Sequence, residues 1–112
     1  MNRLVKRADF VAAAKAARAS AAVFSLQARD RHDQAQLRLG ITVTKKVGNS
    51  VERNRIRRRL RHAARAVLPQ AGAEGYDYVL VARRAALTAD YRDLLNGLQR
   101  TLKQVHKGRH RA

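Results

Sequence analysis

The sequence predicts an α+β fold built as a two-layer sandwich, in the order helix, strand, strand, helix, strand, helix. Three observations predict it. Two stretches alternate apolar and polar residues at the period of a half-buried strand, and a third, Val79-Leu80-Val81, is apolar throughout, as in a strand covered on both faces. Three longer segments place apolar residues three and four apart, the spacing of a helix face. A length of 112 residues accommodates one domain with a single core, and no internal repeat or linker divides it.

The first helix is expected over Ala8–Ala19, an Ala-rich stretch of high helix propensity in which Phe10 is the only large apolar residue besides Val11. Val23–Ala28 alternates, with Phe24 and Leu26 on one face and Val23, Ser25 and Gln27 on the other. A polar connection, Arg29–Gln36, leads to Leu37–Thr44, where Leu37, Leu39, Ile41 and Val43 take the buried side. These two strands read as an antiparallel hairpin. Asn49 with Glu52 three residues on resembles a capping box, and Gly48 suits a tight entry into the helix that follows. Ile56, Leu60, Ala63, Ala64 and Val67 form the apolar face of that helix, and Pro69 with Gln70-Ala71-Gly72 is expected to end it. A third strand spans Tyr76–Arg83. Thr88 is placed to cap the last helix, whose stripe is Tyr91, Leu94, Leu95, Leu98, Leu102 and Val105, with Asp90 and Asp93 at the positive end of its dipole. Lys107 to Ala112 reads as a basic tail.

The second helix carries most of the functional information. Residues 45–65 hold nine cations, Lys45, Lys46, Arg53, Arg55, Arg57, Arg58, Arg59, Arg61 and Arg65, against Glu52 alone, leaving +8 of a chain total of +17. Opposite its apolar stripe lie Asn54, Arg58, Arg61 and Arg65, with Arg55 and Arg57 on the shoulders and Arg53 and Arg59 bordering the stripe. A solvated helix face would mix signs, with acids and bases paired four apart. Here almost nothing offsets the repulsion, and Arg outnumbers Lys, so planar guanidinium groups suited to phosphate and base stacking dominate. Nucleic acid is the indicated partner, with an anionic membrane surface as the competitor.

Composition narrows the remaining classes. The absence of cysteine excludes disulfides, thiolate metal sites and cysteine nucleophiles, and is compatible with a reducing cytoplasm, the expected location. No apolar run is long enough to span a membrane. The N-terminus starts basic and turns Ala-rich, as an organelle presequence does; Asp9, Lys15 and Arg18 break any secretory core, and a structural first helix explains the pattern equally well. Asp90 and Asp93 share a helix turn, Asp30, His32 and Asp33 share a loop, and His106 and His110 have ligand spacing interrupted by Gly108. None of these sets forms a convincing active site or zinc site, so no catalytic and no metal-ligating residue is assigned.

The run Gly40–Arg61, GITVTKKVGNSVERNRIRRRLR, resembles the signature of the bacterial ribonuclease P protein subunit. The matching features are Lys45-Lys46 at the end of a strand, the Gly48-Asn49 turn and the Arg53-Asn54-Arg55 helix core. Weaker likeness extends to Arg3-Leu4, Asp9-Phe10, Asp77-Tyr78 and Ala82-Arg83, nearly the whole chain. The resemblance implies one more short strand near Ser20 and a left-handed crossover through the arginine helix, hence an αβββαβα sandwich with a small mixed sheet. Sequence reasoning without it favours a right-handed crossover. It also implies that a catalytic RNA subunit performs the Mg2+-dependent cleavage that frees the 5′ end of precursor tRNA, with no organic cofactor. Lys45, Lys46, Asn49, Arg53, Asn54, Arg55, Arg57, Arg58, Arg61 and Arg65 would dock on that RNA. A cleft between the first helix and the sheet, with Phe10, Ala14, Phe24 and Gln27, would hold the single-stranded 5′ leader. Ala14 and Gln27 stand where the family tends to have aromatics, so stacking on the leader is expected to be weaker. The rival readings are a ribosomal or ribosome-assembly RNA-binding protein, which would lack the ordered motif, and a membrane-surface cationic protein, which would not need a folded sheet.

Overall fold

The computed structural model describes residues 1–107. The expected basic tail lies, apart from Lys107, outside the described residues. The elements are β1 (Asn2–Arg3), α1 (Arg7–Ala14), β2 (Ala17–Ser20), β3 (Phe24–Asp30), β4 (Arg38–Thr42), a 3-10 turn (Lys45–Val47), α2 (Ser50–Ala71), β5 (Tyr76–Ala82), a second 3-10 turn (Arg84–Leu87) and α3 (Tyr91–His106). The five strands form one mixed sheet in the order β1-β4-β5-β3-β2. Helices α2 and α3 pack on one face through Ile56, Leu60, Leu68, Leu94, Leu98 and Leu102, against Phe24, Leu26, Tyr78 and Leu80. The short α1 lies on the other face, where Ala13 meets Leu4 and Val79 and where Phe10 and Val81 are partly buried.

The expected β3–β4 hairpin does not form. Strand β5 lies between the two, antiparallel to β3 and parallel to β4, so the β4–α2–β5 connection is the crossover. The physical reason is burial. Strand β5 has apolar residues on both faces, Tyr78 and Leu80 towards α2 and α3 and Val79 towards α1, and only the central slot covers both. The β3–β4 connection passes over the start of β5 and is tied there: Arg31 N–H donates to Gly75 O and Gly75 N–H donates to Ala35 O. Gly75 has φ +78°, and a Cβ there would meet Asp33 O at 2.2 Å, so the crossing requires glycine.

The true hairpin is β2–β3, registered Ala17↔Ala28 to Ser20↔Ser25. The first helix therefore ends at Ala14 rather than Ala19. Alanine's helix preference is only a few tenths of a kcal/mol per residue over most alternatives, and the ladder along the open edge of β3 overrides it. The extra strand near Ser20 is thus present. Strand β1, the edge strand parallel to β4, had no signal in the sequence. Two helix ends also differ from expectation. Pro69 sits inside α2, which closes at Gly72 with its N–H on Leu68 O; the donor that Pro69 lacks would have served the carbonyl of Arg65, and the loss is tolerated because both residues lie on the exposed side of the last turns. Thr88 ends the second 3-10 turn, and Asp90 is the N-cap residue of α3.

Candidate nucleic-acid interface

The arginine helix is held at its start by a complete capping box. Asn49 Oδ1 accepts from Glu52 N–H (2.9 Å) and Glu52 Oε1 accepts from Asn49 N–H (3.0 Å). The same carboxylate takes a salt bridge from Arg84 (2.9 Å), whose other terminal nitrogen donates to Val47 O (2.7 Å). Arg84 thereby latches the turn carrying exposed Lys45 and Lys46 to the first turn of α2. The hydrogen bond from Arg84, followed by that from Asn49, holds the Glu52 carboxyl below the ordinary carboxylate range. Gly48 makes this junction possible by close approach, since a Cβ there would lie 2.6 Å from Glu52 Oε1. Asn49, expected on sequence grounds to touch RNA, is engaged in the cap. Asn49→Ala should cost about 1 kcal/mol, read as a lower midpoint in urea denaturation.

Glu52, the single acid of the basic block, thus neutralises Arg84 and none of the α2 arginines. Among the described residues, Arg53, Arg55, Arg57, Arg58, Arg59, Arg61 and Arg65 form no salt bridge. The fold gathers six of them, all but Arg53, into two rows. Arg57, Arg61 and Arg65, four apart, flank an open pocket of about 180 Å³ with Phe10, Gly40, Ile41 and the β1 residues Asn2 and Arg3. Arg57 donates to Asn54 Oδ1 (3.2 Å), so Asn54 orients a guanidinium of this row. Arg55, Arg58 and Arg59 form the second row with His62 and Tyr91. Arg59 is different from its neighbours: its guanidinium donates to Ala86 O (2.6 Å) and to Ala89 O, so it fastens α2 to the segment leading into α3.

The four residues expected to line the leader cleft are not brought together. Phe10 is half-buried, lies on Gly40 so closely that a Cβ there would be 2.5 Å from its ring, and reaches the pocket beside Arg57 and Arg61. Ala14 is exposed at the end of α1. Gln27 is buried on the α1 side of the sheet, across from Val79. Phe24 has no exposed surface and belongs to the core under α2 and α3, on the opposite face, so it is structural. The pleat decides this: Phe24 and Gln27 are three apart on one strand and must point to opposite faces.

The other end of the α1 face is charge-balanced. Arg29, Asp77 and Arg38 are cross-strand neighbours on β3, β5 and β4. Fully buried Asp77 accepts from Arg38 (2.7 and 2.8 Å) and from Arg31 (2.5 Å), with Arg29 at 3.5 Å. Asp9 of α1 joins Arg29 (3.1 Å) and Arg38 (3.5 Å), and Asp33 pairs with Arg31 (3.0 Å). Burial by itself would raise the Asp77 pKa, but the hydrogen bonds from Arg38 and Arg31 prevail and hold it below the usual carboxylate value. Three arginines are thus consumed by three aspartates. Asp9, half of the Asp-Phe pair, ties α1 to the sheet. Sequence reasoning missed this network, Arg84 and the Tyr91–His62 pair, because each joins residues distant in the chain.

Comparison with known proteins agrees with this geometry. The family model described as Ribonuclease P matches residues 1–106. The ribonuclease P protein component of Ruegeria pomeroyi is 46% identical over 106 residues, covering 92% of this chain and 85% of the relative. That of Paramagnetospirillum magneticum is 47% identical over 110 residues, covering 94% and 83%. The solved structure of the Staphylococcus aureus RNase P protein superposes with a TM-score of 0.76 at 28% identity, covering 93% of this chain and 94% of that one. The matched span includes both arginine rows, the capped entry to α2 and the Asp77 network, and the chain accordingly belongs to the ribonuclease P protein family, the accessory protein component of that endoribonuclease.

Proposed function

We propose that this chain docks on the catalytic RNA subunit of ribonuclease P through the exposed face of α2, with Lys45 and Lys46 at its entry, and assists removal of the 5′ leader from precursor tRNA in the cytoplasm. The observation that carries this reading is a helix whose arginines have no carboxylate partner among the described residues. An ordered, uncompensated row of guanidinium groups on a capped helix binds a phosphate backbone irrespective of sequence. The pocket beside Phe10, bordered by Arg57 and Arg61, is where single-stranded leader RNA gains both an aromatic contact and cations. The balanced Asp9–Asp77 end of the same face has no net charge to offer it.

The magnesium of the reaction is assigned to the RNA. The described residues present no cluster of three metal-ligating side chains, and Asp9, Asp33, Glu52 and Asp77 are engaged by arginines. The protein's own contribution is cationic: it offsets repulsion between phosphates and so lowers the magnesium required. Cleavage of precursor tRNA should be absent with purified protein alone at any magnesium concentration. Adding the protein to the RNA should shift the magnesium midpoint downwards. Metal-dependent cleavage by the protein alone, or ribosomal RNA as the species that co-purifies with it, would overturn the assignment.

A further inference from the structure

The row formed by Arg55 and Arg58 borders an aromatic surface for which the docking face has no structural need. Tyr91, the first residue of α3, sits in the apolar stripe of that helix by sequence, yet it is 38% exposed while Leu94 and Leu98 are fully buried. Its ring lies 5.3 Å from that of His62 on α2, tilted by 56°, and the two rings floor a shallow groove. Arg59 keeps this floor in place, because its two carbonyl partners, Ala86 and Ala89, lie five and two residues before Tyr91. Arg55 and Arg58 are exposed on the rim and without a carboxylate. Of the nearby acids, neither Asp90, the N-cap residue beside Tyr91, nor Asp93, about 200° from Tyr91 around α3, forms a salt bridge with Arg55 or Arg58.

We propose that the Tyr91–His62 surface is a second stacking site, which takes an unpaired nucleobase of the docked RNA while Arg55 and Arg58 hold its flanking phosphates. This rests on the proposed RNA-binding role and extends it to two side chains outside the arginine motif. The chemistry selects the ligand. A shallow aromatic floor accepts a flat ring better than an aliphatic side chain, and two uncompensated guanidinium groups demand an anion beside it. A base in a duplex cannot reach the floor, because its face is covered by its neighbours, so the site distinguishes unpaired from paired RNA. Stacking of this kind accepts any base.

The test uses the full chain with a uridine octamer carrying one 4-thiouridine, and a duplex of equal charge as control. Photo-crosslinking of the unmodified protein should mark the peptide containing Tyr91 or His62 with the octamer and not with the duplex. In binding titrations, Tyr91→Leu should weaken the octamer about fivefold to 150-fold, the range set by stacking on one aromatic, with the salt slope unchanged. Tyr91→Phe should bind within about twofold of the parent, and His62→Ala should show the same loss in smaller measure. Equal binding by Tyr91→Leu and Tyr91→Phe, equal losses on octamer and duplex, or a changed oligomeric state with RNA binding intact would overturn the site. If the octamer binds normally and Arg57→Gln and Arg61→Gln leave its salt slope unaltered, the docking reading itself fails. If those substitutions lower the slope and Tyr91→Leu does nothing, only the stacking site fails.

Discussion

Asp77→Asn should destabilise the folded protein by about 3 kcal/mol, the lower end of what breaking a buried ion pair costs. The lower end applies because the arginines left behind are unequally buried. The Arg31 side chain is 8% exposed, while those of Arg38 and Arg29 are 27% and 31% exposed and recover some hydration. In a chain of this size the loss corresponds to a fall in Tm of roughly 10–20 °C. The pH dependence supplies an independent check. Asp77 is held below its ordinary value of 3.8 in the folded state. The unfolded chain therefore takes up the proton first as pH falls, and stability due to Asp77 is complete above that ordinary value and disappears as pH drops through the lower folded value. The parent should thus lose stability steeply below about pH 4, and the Asn variant less steeply. A residual slope should remain from Asp33 and Glu52, whose carboxyls are also held low, chiefly by hydrogen bonds from Arg31 and Arg84. Urea denaturation from pH 3 to pH 7 reads both quantities. Equal stability and equal acid sensitivity in parent and variant would show that the network contributes nothing.

The combined substitution Arg57→Gln, Arg61→Gln and Arg65→Gln should weaken docking on the catalytic RNA most strongly. Each phosphate that is no longer neutralised lowers the salt slope by about one unit, so the slope of the triple variant should fall by about three. Its free form should be no less stable than the parent, because these arginines have no carboxylate partner among the described residues and repel one another. Arg59→Gln should behave in the opposite sense. Its guanidinium is bonded to Ala86 O and Ala89 O, so its removal should lower Tm while leaving the salt slope nearly intact. A triple variant that binds with the parent's slope would remove α2 from the docking surface. An Arg59 variant with normal stability would show that its bonds to these carbonyls are unimportant.

The contrast between Arg59 and its neighbours shows how far a helical wheel carries a functional assignment. The wheel correctly places Arg59 beside the apolar stripe and Arg58, Arg61 and Arg65 away from it, because helix geometry is local. It cannot show that Arg57, Arg61 and Arg65 meet Phe10 and the β4 residues Gly40 and Ile41, or that Arg55 and Arg58 meet Tyr91. Asn49 and Asn54 illustrate the same limit. Both carry polar side chains in the motif, yet one caps the helix and the other orients Arg57.

By itself the sequence determined the capped, uncompensated arginine helix, the alternation of β3 and β4 and the two-faced burial of β5. Each is expressed by residues a few positions apart, through backbone periodicity or through charge with no partner nearby. Only the tertiary structure decided which strands pair, and hence that β5 separates β3 from β4 and that the Ala-rich stretch yields β2. It also decided that Phe24 is core, that Asp9, Asp33 and Asp77 neutralise three arginines, and that Tyr91 lies beside His62. Spacing along a strand specifies the face on which a side chain lies, but its neighbours come from whichever distant segment fills the adjacent slot, and that choice is made by burial and hydrogen bonding over the whole sheet.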